Sequence, residues 1–96
     1  MVLKLVGPLT LPTMFGFQNE FRSMTPQVLV LDCSEIPYMD SAGLGVLMNH
    51  HVSGQDHGRK LLLAGVNDRI EELFKMTKVD VVLTRFPSVA AAEASL

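Results

Sequence analysis

The chain has 96 residues, of which 48% are hydrophobic and 19% charged, and its formal net charge is −2 at pH 7. A chain of this length supports one hydrophobic core, so we expect a single domain over residues 1–96, and this apolar content excludes a disordered segment. The eight Lys and Arg residues are scattered without interleaved aromatic residues, which argues against nucleic acid as a partner.

The sequence contains no run that predicts a membrane segment. Apolar runs such as Val28–Leu31 and Leu61–Ala64 are far shorter than the roughly 20 residues that a membrane-spanning helix needs. Lys4 lies inside an alternating segment, which is not the layout of a signal peptide. The single cysteine, Cys33, follows an apolar run and is expected to be a small core residue, in agreement with a reducing compartment. We therefore expect a cytoplasmic protein.

Strand and helix patterns alternate along the chain, which is typical of an α/β domain. Val2–Val6 alternates apolar and polar residues like a strand with one solvent-facing side, and Gly7-Pro8 ends it. Thr13 is a candidate N-cap of the first helix. The apolar stripe of that helix consists of residues at three- and four-residue steps, namely Met14, Phe17, Phe21 and Met24.

The middle of the chain predicts two buried strands around a helix. Val28–Leu31 is apolar at every position, as is typical of a central strand covered by helices. The second helix begins at Ser41 and is expected to run to about His57, where Gly58 ends it. Lys60–Ala64 follows as the third strand.

The last third of the chain predicts two helices and a strand. Asp68 followed by Glu71 resembles a capping box at the start of the third helix. Val81–Thr84 is the expected fourth strand, and Ser88 is the expected N-cap of a short terminal helix. Together these elements predict a mixed sheet of about four strands with helices mainly on one face.

One strand-to-helix junction has properties that suggest a function. At a helix start such as Ser41 the first backbone N–H groups lack partners within the helix, and they favour negative charge, including phosphate. Gly43 and Gly45 fall in the first turns, where each costs up to about 1 kcal/mol relative to alanine. Either a partner surface approaches this backbone closely, or the turn packs tightly on the protein's own sheet.

The segment Asp40-Ser41-Ala42-Gly43-Leu44-Gly45 resembles the Asp-Ser-x-Gly-Leu-Gly signature of STAS-domain anti-sigma-factor antagonists, also called anti-anti-sigma factors. Leu5–Leu9 is similar to the end of that family's first strand, and Leu73–Thr77 is similar to its third helix. Phe86-Pro87-Ser88 resembles its final turn. The resemblance therefore extends over nearly the whole chain.

The resemblance implies a regulator that works by partner switching. The unmodified protein would bind an anti-sigma factor that is also a serine kinase and so release a sigma factor. Phosphorylation of Ser41 would end that binding, and a serine phosphatase would restore it. No cofactor, metal, membrane or catalytic residue is implied. The implied partner-binding residues are Asp40, Ser41, Ala42, Gly43, Gly45, Val46 and Asn49.

Other interpretations of the same residues remain open. Ser41 could be only an N-cap, because serine is preferred there whatever the function. As a nucleophile, Ser41 lacks the Gly-x-Ser-x-Gly elbow and an oriented pair of histidine and acid, so we expect no enzyme activity. His50, His51 and His57 with Asp56 match no known spacing of a metal site.

A STAS module could also have a different task. An accessory subunit of a transporter or of a lipid-trafficking complex would share the fold and the helix surface. In such a protein the phosphorylation of Ser41 would be incidental.

Overall fold

The computed structural model describes residues 2–10, 12–13, 16 and 27–96. Within these residues four strands and three helices follow one another: β1 Val2–Val6, β2 Val28–Glu35, α1 Ser41–Gln55, β3 Lys60–Ala64, α2 Asp68–Met76, β4 Thr84–Phe86 and α3 Val89–Ala94. The helix stripe expected at Met14, Phe17, Phe21 and Met24 lies outside the described residues.

The four strands form one sheet in the order β1-β2-β3-β4, and every pair is parallel. The prediction of a mixed sheet is therefore wrong in this respect. The reason lies in the connections, because α1 carries the chain from β2 to β3 and α2 carries it from β3 to β4. Each helix returns the chain to the end of the sheet at which it started, so the next strand runs in the same direction.

The fourth strand lies later in the chain than predicted, and the prediction of a strand at Val81–Thr84 is wrong except at Thr84. Val82 and Leu83 donate backbone hydrogen bonds to the carbonyl of Val79 at 2.9 and 3.0 Å, which makes this run a turn. Val81 is 84% exposed, whereas Leu83 is buried. The strand is instead Thr84–Phe86, with Leu63 of β3 aligned with Arg85.

The helices cover the sheet unequally, as expected. On one face, the inward side chains of the central strands pack with α1 and α2; this layer includes Leu29, Leu31, Leu61, Leu63, Leu47 and Phe74. The other face has a smaller cluster of Val30, Leu62, Ala64 and Ala92, the last from α3. Alternate residues of β2 therefore enter two different cores, which explains why Val28–Leu31 is apolar throughout.

The helix ends differ in detail from the sequence pattern. The N-cap of α2 is Asn67, whose side-chain oxygen accepts a hydrogen bond from Ile70 N at 2.9 Å, so Asp68 is the first helical residue and not the cap. Ser88 is the N-cap of α3, as predicted. Helix α1 ends at Gln55, and Gly58 turns the chain toward β3 with a φ of 67°.

The side chain of Arg85 links β4 to α2. Its Nε pairs with the carboxylate of Glu71, and its Nη1 donates to the carbonyls of Asp80 and Leu83 at 2.7 and 2.6 Å. The central carbon of its guanidinium lies 5.8 Å from the centroid of the Phe74 ring. Both charged side chains are mostly buried, so the pair is shielded from solvent.

Arg85 also contacts the larger core layer through the ring of Phe74. The guanidinium therefore stands over a ring that is itself fully buried in the larger core layer. A cation over an aromatic face adds to the attachment of β4 on α2.

We expect Arg85→Met to lower the free energy of unfolding by about 2 kcal/mol, because Glu71 and two carbonyls lose a charged hydrogen-bond donor in a mostly buried place. Lys75→Met is the matched control, since Lys75 is an exposed cation on the same helix α2. It should change stability by less than about 0.5 kcal/mol. Urea titrations of both variants test this, and equal midpoints would contradict it.

Cys33 is 1% exposed, and burial, together with the charge of Asp32, raises the pKa of its thiol to about 12. Because the thiolate is the reactive form, the folded protein at pH 8 should react with a thiol reagent about three orders of magnitude more slowly than a free cysteine. Adding urea should restore the ordinary rate. In Ser53→Cys, which places a thiol on the exposed side of α1, one equivalent should react at once. Fast labelling of the folded wild-type chain would contradict the prediction.

Candidate functional site

The start of α1 is held by the segment that follows β1. Leu9 is completely buried, its N–H donates to the carbonyl of Tyr38 at 3.2 Å, and its carbonyl accepts from Asp40 N–H at 3.2 Å. Leu9 and Met39 thus form an isolated parallel bridge. These bonds fix the backbone just before Ser41 at the carboxyl end of the sheet.

Gly43 packs directly on this bridge. A Cβ atom at Gly43 would lie 2.1 Å from the carbonyl oxygen of Leu9, and real side chains do not approach so closely. Gly43 is buried. The tight packing of this turn on the protein's own backbone therefore accounts for the first of the two glycines.

Gly45 has the opposite environment. It is exposed, and apart from the backbone of its own helix a Cβ atom at this position would meet no atom of the described residues within 4 Å. Packing against the residues that the structure describes therefore gives no reason for a glycine here. Among the described residues, the tight packing expected for this turn therefore applies to Gly43 and not to Gly45.

Asp40 is the N-cap of α1. Its side-chain Oδ1 accepts a hydrogen bond from Gly43 N–H at 2.9 Å, and its carbonyl accepts from Leu44 N–H at 2.9 Å. Ser41 is consequently the first residue inside the helix, and the interpretation of Ser41 as the N-cap is wrong. The aspartate already supplies the side-chain acceptor that a helix start needs.

The hydroxyl of Ser41 has no structural task in the described part of the chain. Ser41 is exposed, and its hydroxyl makes no hydrogen bond to a described residue. The first turn of α1 contains no acidic residue of its own, and the carboxylate of the preceding Asp40 is the one negative charge at this helix start among the described residues of the segment 40–44. The side chain is therefore open to solvent beside a helix end that tolerates phosphate.

The predicted partner-binding residues divide into an exposed and a covered set. Ser41, Gly45 and Asn49 are exposed and follow one another at four-residue steps, so they lie along one side of the helix. We call these three residues the α1 stripe. The other predicted residues lie deeper: Asp40 and Ala42 are half-buried, and Gly43 and Val46 are buried.

Sequence reasoning missed three residues that adjoin this site. The Asn67 side-chain nitrogen donates to the carbonyls of Ile36 and Pro37 at 3.1 and 3.0 Å, which ties the segment before Ser41 to α2. Arg69 stands over the ring of Tyr38, 5.1 Å from its centroid. Val52, 51% exposed, continues the α1 stripe by one more turn. An asparagine before an acidic helix start does suggest a cap, but its long-range bonds need the fold.

The described residues contain no arrangement that supports metal binding or membrane insertion. They include no group of three His, Cys, Asp or Glu side chains that could hold a metal ion, and His50, His51 and His57 form no such group. Burial lowers the pKa of His50, and the nearby charges of Arg59 and His51 add to this effect. No helix in the described ranges is both long and apolar enough to cross a bilayer.

Comparisons with known proteins agree with this architecture. An anti-sigma-B factor antagonist from Listeria monocytogenes is 38% identical over 56 residues, which are 58% of this chain. The matched region is 49% of that protein, so the chain spans about half the length of the curated relative.

Two solved structures share the fold. A candidate anti-sigma factor antagonist from Thermotoga maritima has a TM-score of 0.86 at 22% identity, over 98% of this chain and 86% of that one. A sulfate transporter family protein from Wolinella succinogenes has a TM-score of 0.81 at 23% identity, over 98% of this chain and 81% of that one. At these identities the likeness establishes the fold alone.

The family is established by a broader match. The model of the STAS domain family matches residues 1–92, which is nearly the whole chain and includes the segment that carries Ser41 and both glycines of α1. The chain belongs to the STAS domain family.

Proposed function

We propose that this chain is a phosphorylation-controlled anti-sigma factor antagonist of the cytoplasm. In its unmodified form it binds an anti-sigma factor that is also a serine kinase, and so frees a sigma factor. The kinase phosphorylates Ser41, which ends the binding, and a serine phosphatase removes the phosphate. The name of the Listeria relative, an anti-sigma-B factor antagonist, supports the class of partner.

The observation that carries the proposal is the free hydroxyl of Ser41. Asp40 performs the capping and Gly43 performs the close packing, so neither stability nor local geometry requires a serine at position 41. Its hydroxyl is exposed at a helix start, where a kinase can reach it. A phosphate added there gains from the helix dipole, so the modified chain should remain folded.

The α1 stripe is the proposed centre of the partner interface. Ser41, Gly45 and Asn49 present a hydroxyl, bare backbone and an amide along one side of the helix. Bare backbone at Gly45 lets a partner lie close to the helix axis. The exposed Val52 extends this surface with apolar area, which favours association.

Phosphate would oppose binding through its charge. A phosphoserine carries about −1.5 to −2 charges at neutral pH, and it would stand next to the carboxylate of Asp40. An approaching partner would have to remove water from that charge without supplying a paired group. In this proposal the chain has no catalytic role of its own, no cofactor and no metal, and the kinase and phosphatase do the chemistry.

The first test compares wild type, Ser41→Ala and Ser41→Asp in titrations against a purified kinase-type anti-sigma factor. Ser41→Asp should bind more weakly by roughly thirty- to several-thousand-fold, because an unpaired charge in an interface costs about 2–5 kcal/mol. Ser41→Ala should bind like wild type and resist phosphorylation. Its stability should change by less than about 0.5 kcal/mol, because Asp40 is the cap. Equal affinities of all three proteins, or phosphate on Ser41→Ala at the wild-type level, would refute the proposal.

The two glycines of α1 provide a second, matched test. Gly45→Val should leave the free energy of unfolding within about 0.5 kcal/mol of wild type, because its side chain points into open space. It should weaken binding to the anti-sigma factor at least about tenfold by separating the two surfaces. Gly43→Ala should instead destabilise the fold by about 1–3 kcal/mol, because its Cβ would overlap the Leu9 carbonyl. Unchanged binding by Gly45→Val would argue against the α1 stripe as the interface.

A further inference from the structure

An aromatic ring and a guanidinium are stacked on the surface beside the start of α1. Arg69, in the first turn of α2, places its guanidinium carbon 5.1 Å from the centroid of the Tyr38 ring. The tyrosine is 39% exposed, and Arg69 is exposed as well. Tyr38 precedes Ser41 by three residues, so the two side chains adjoin the α1 stripe at the carboxyl end of the sheet. We call Tyr38 and Arg69 the stacked pair.

The backbone on both sides of the stacked pair is held by hydrogen bonds. The Asn67 side-chain nitrogen donates to the carbonyls of Ile36 and Pro37, which joins the segment before α1 to the start of α2. The carbonyl of Tyr38 accepts from Leu9 N–H at 3.2 Å. Both side chains of the pair are therefore placed before a partner arrives, and binding would cost them little conformational entropy.

The fold gives no reason for a cation at position 69. Arg69 makes no ion pair within the described chain, and the dipole at the start of a helix favours anions over cations. Asp68 is its neighbour, but adjacent helical residues do not face each other. Arg69 is also the only lysine or arginine in the segments at this edge of the sheet, namely residues 7–10, 36–41 and 65–69. Its charge is therefore available to an acidic group from outside the chain.

The proposed interface around Ser41 has to extend over the stacked pair. A stable complex of two proteins buries about 800 Å² on each partner, which corresponds to a patch roughly 30 Å across. The Cα atoms of the chain extend over only 28 × 26 × 24 Å, so a patch of that size covers most of one end of the molecule. The α1 stripe alone consists of a serine, a glycine and an asparagine, which offer little side-chain area. Tyrosine and arginine, in contrast, are among the residue types that carry most of the binding energy in interfaces.

We propose that the stacked pair is the main side-chain contact of this chain with the anti-sigma factor, and that Arg69 binds a carboxylate of that partner. This inference rests on the proposed function, because it assigns a second contact to the same interface. A guanidinium can pair with a carboxylate through two parallel N–H groups while one of its faces stays on an aromatic ring. A phosphate on Ser41 would then add negative charge beside a negatively charged part of the partner, which would weaken the complex.

The test measures the affinity of a purified kinase-type anti-sigma factor for wild type, Arg69→Met and Tyr38→Ala at 50 and 500 mM NaCl. At the lower salt concentration each substitution should weaken binding at least about tenfold. The ratio of the wild-type affinity to that of Arg69→Met should decrease severalfold at the higher concentration, because salt screens a charge pair. The double variant should lose less than the product of the two single losses, since the ring and the guanidinium act together.

Lys75→Met is the matched control, because Lys75 is an exposed cation near the other end of α2. It should leave the affinity within about twofold of wild type. Amide NMR spectra of all variants show that each is folded. Wild-type affinity of Arg69→Met, an equal loss in Lys75→Met, or a ratio that salt does not change would overturn the inference.

The same titration separates this inference from the proposed function. A loss of binding in Ser41→Asp without a loss in Arg69→Met would overturn the stacked pair as a contact and leave the control by Ser41 standing. The reverse pattern would overturn the control by Ser41 and leave the stacked pair as a contact. If the wild-type chain did not bind the anti-sigma factor, both would be overturned.

Discussion

The geometry of the candidate site depends on the contact between the backbone of Gly43 and the carbonyl of Leu9. The same carbonyl accepts the hydrogen bond of Asp40 N–H, so a single peptide group fixes both the approach to α1 and its first turn. A side chain at position 43 would push the helix away from the sheet. Because Leu9 is itself fully buried, this anchor is part of the core and is as rigid as the core.

In the segment Asp40–Gly45, the residues that hold the helix against the sheet differ from the residues that are exposed. Asp40 accepts hydrogen bonds from Gly43 N–H and Leu44 N–H, and Gly43 permits the close packing. Ser41 and Gly45 take part in neither, although they lie within the same turn and a half. A modification at Ser41 can therefore change the surface of the protein while the bonds that hold the helix remain intact. That separation is a physical requirement of any switch that must act without unfolding its carrier.

The sequence was sufficient for the parts of the fold that depend on local pattern. The strand at Val28–Leu31, the helix that begins at Ser41 and the cap at Ser88 each have a short-range signal, and the structure contains all three. The position of the fourth strand was predicted wrongly because it depends on contacts with residues far away in the sequence. Arg85 lies in a strand because Glu71 and two carbonyls surround its guanidinium, while the more apolar Val81 stays in a turn.

The candidate site was predictable to a similar extent. Its position at a strand-to-helix junction follows from the pattern of residues, but the different environments of Gly43 and Gly45 do not. A glycine has the same letter whether it faces Leu9 or open space, and only the fold distinguishes the two cases. The bonds from Asn67 to the carbonyls of Ile36 and Pro37 span about thirty residues, for which no local pattern provides a signal.

The fold by itself does not select a function, because similar folds occur in a candidate anti-sigma factor antagonist and in a sulfate transporter family protein. In our proposal, the groups at the start of α1 distinguish an anti-sigma factor antagonist from a transporter domain of the same fold. In the free protein, solvent and the positive end of the helix would stabilise the charge of a phosphate on Ser41, against the repulsion of the neighbouring Asp40 carboxylate. In a complex the same phosphate would lose the solvent and gain no cation from this chain's α1, which has no basic residue from Ser41 to Gln55 apart from its histidines. The difference between these two environments would supply the free energy for switching. A hydroxyl at this place therefore suits a reversible interaction better than a permanent one.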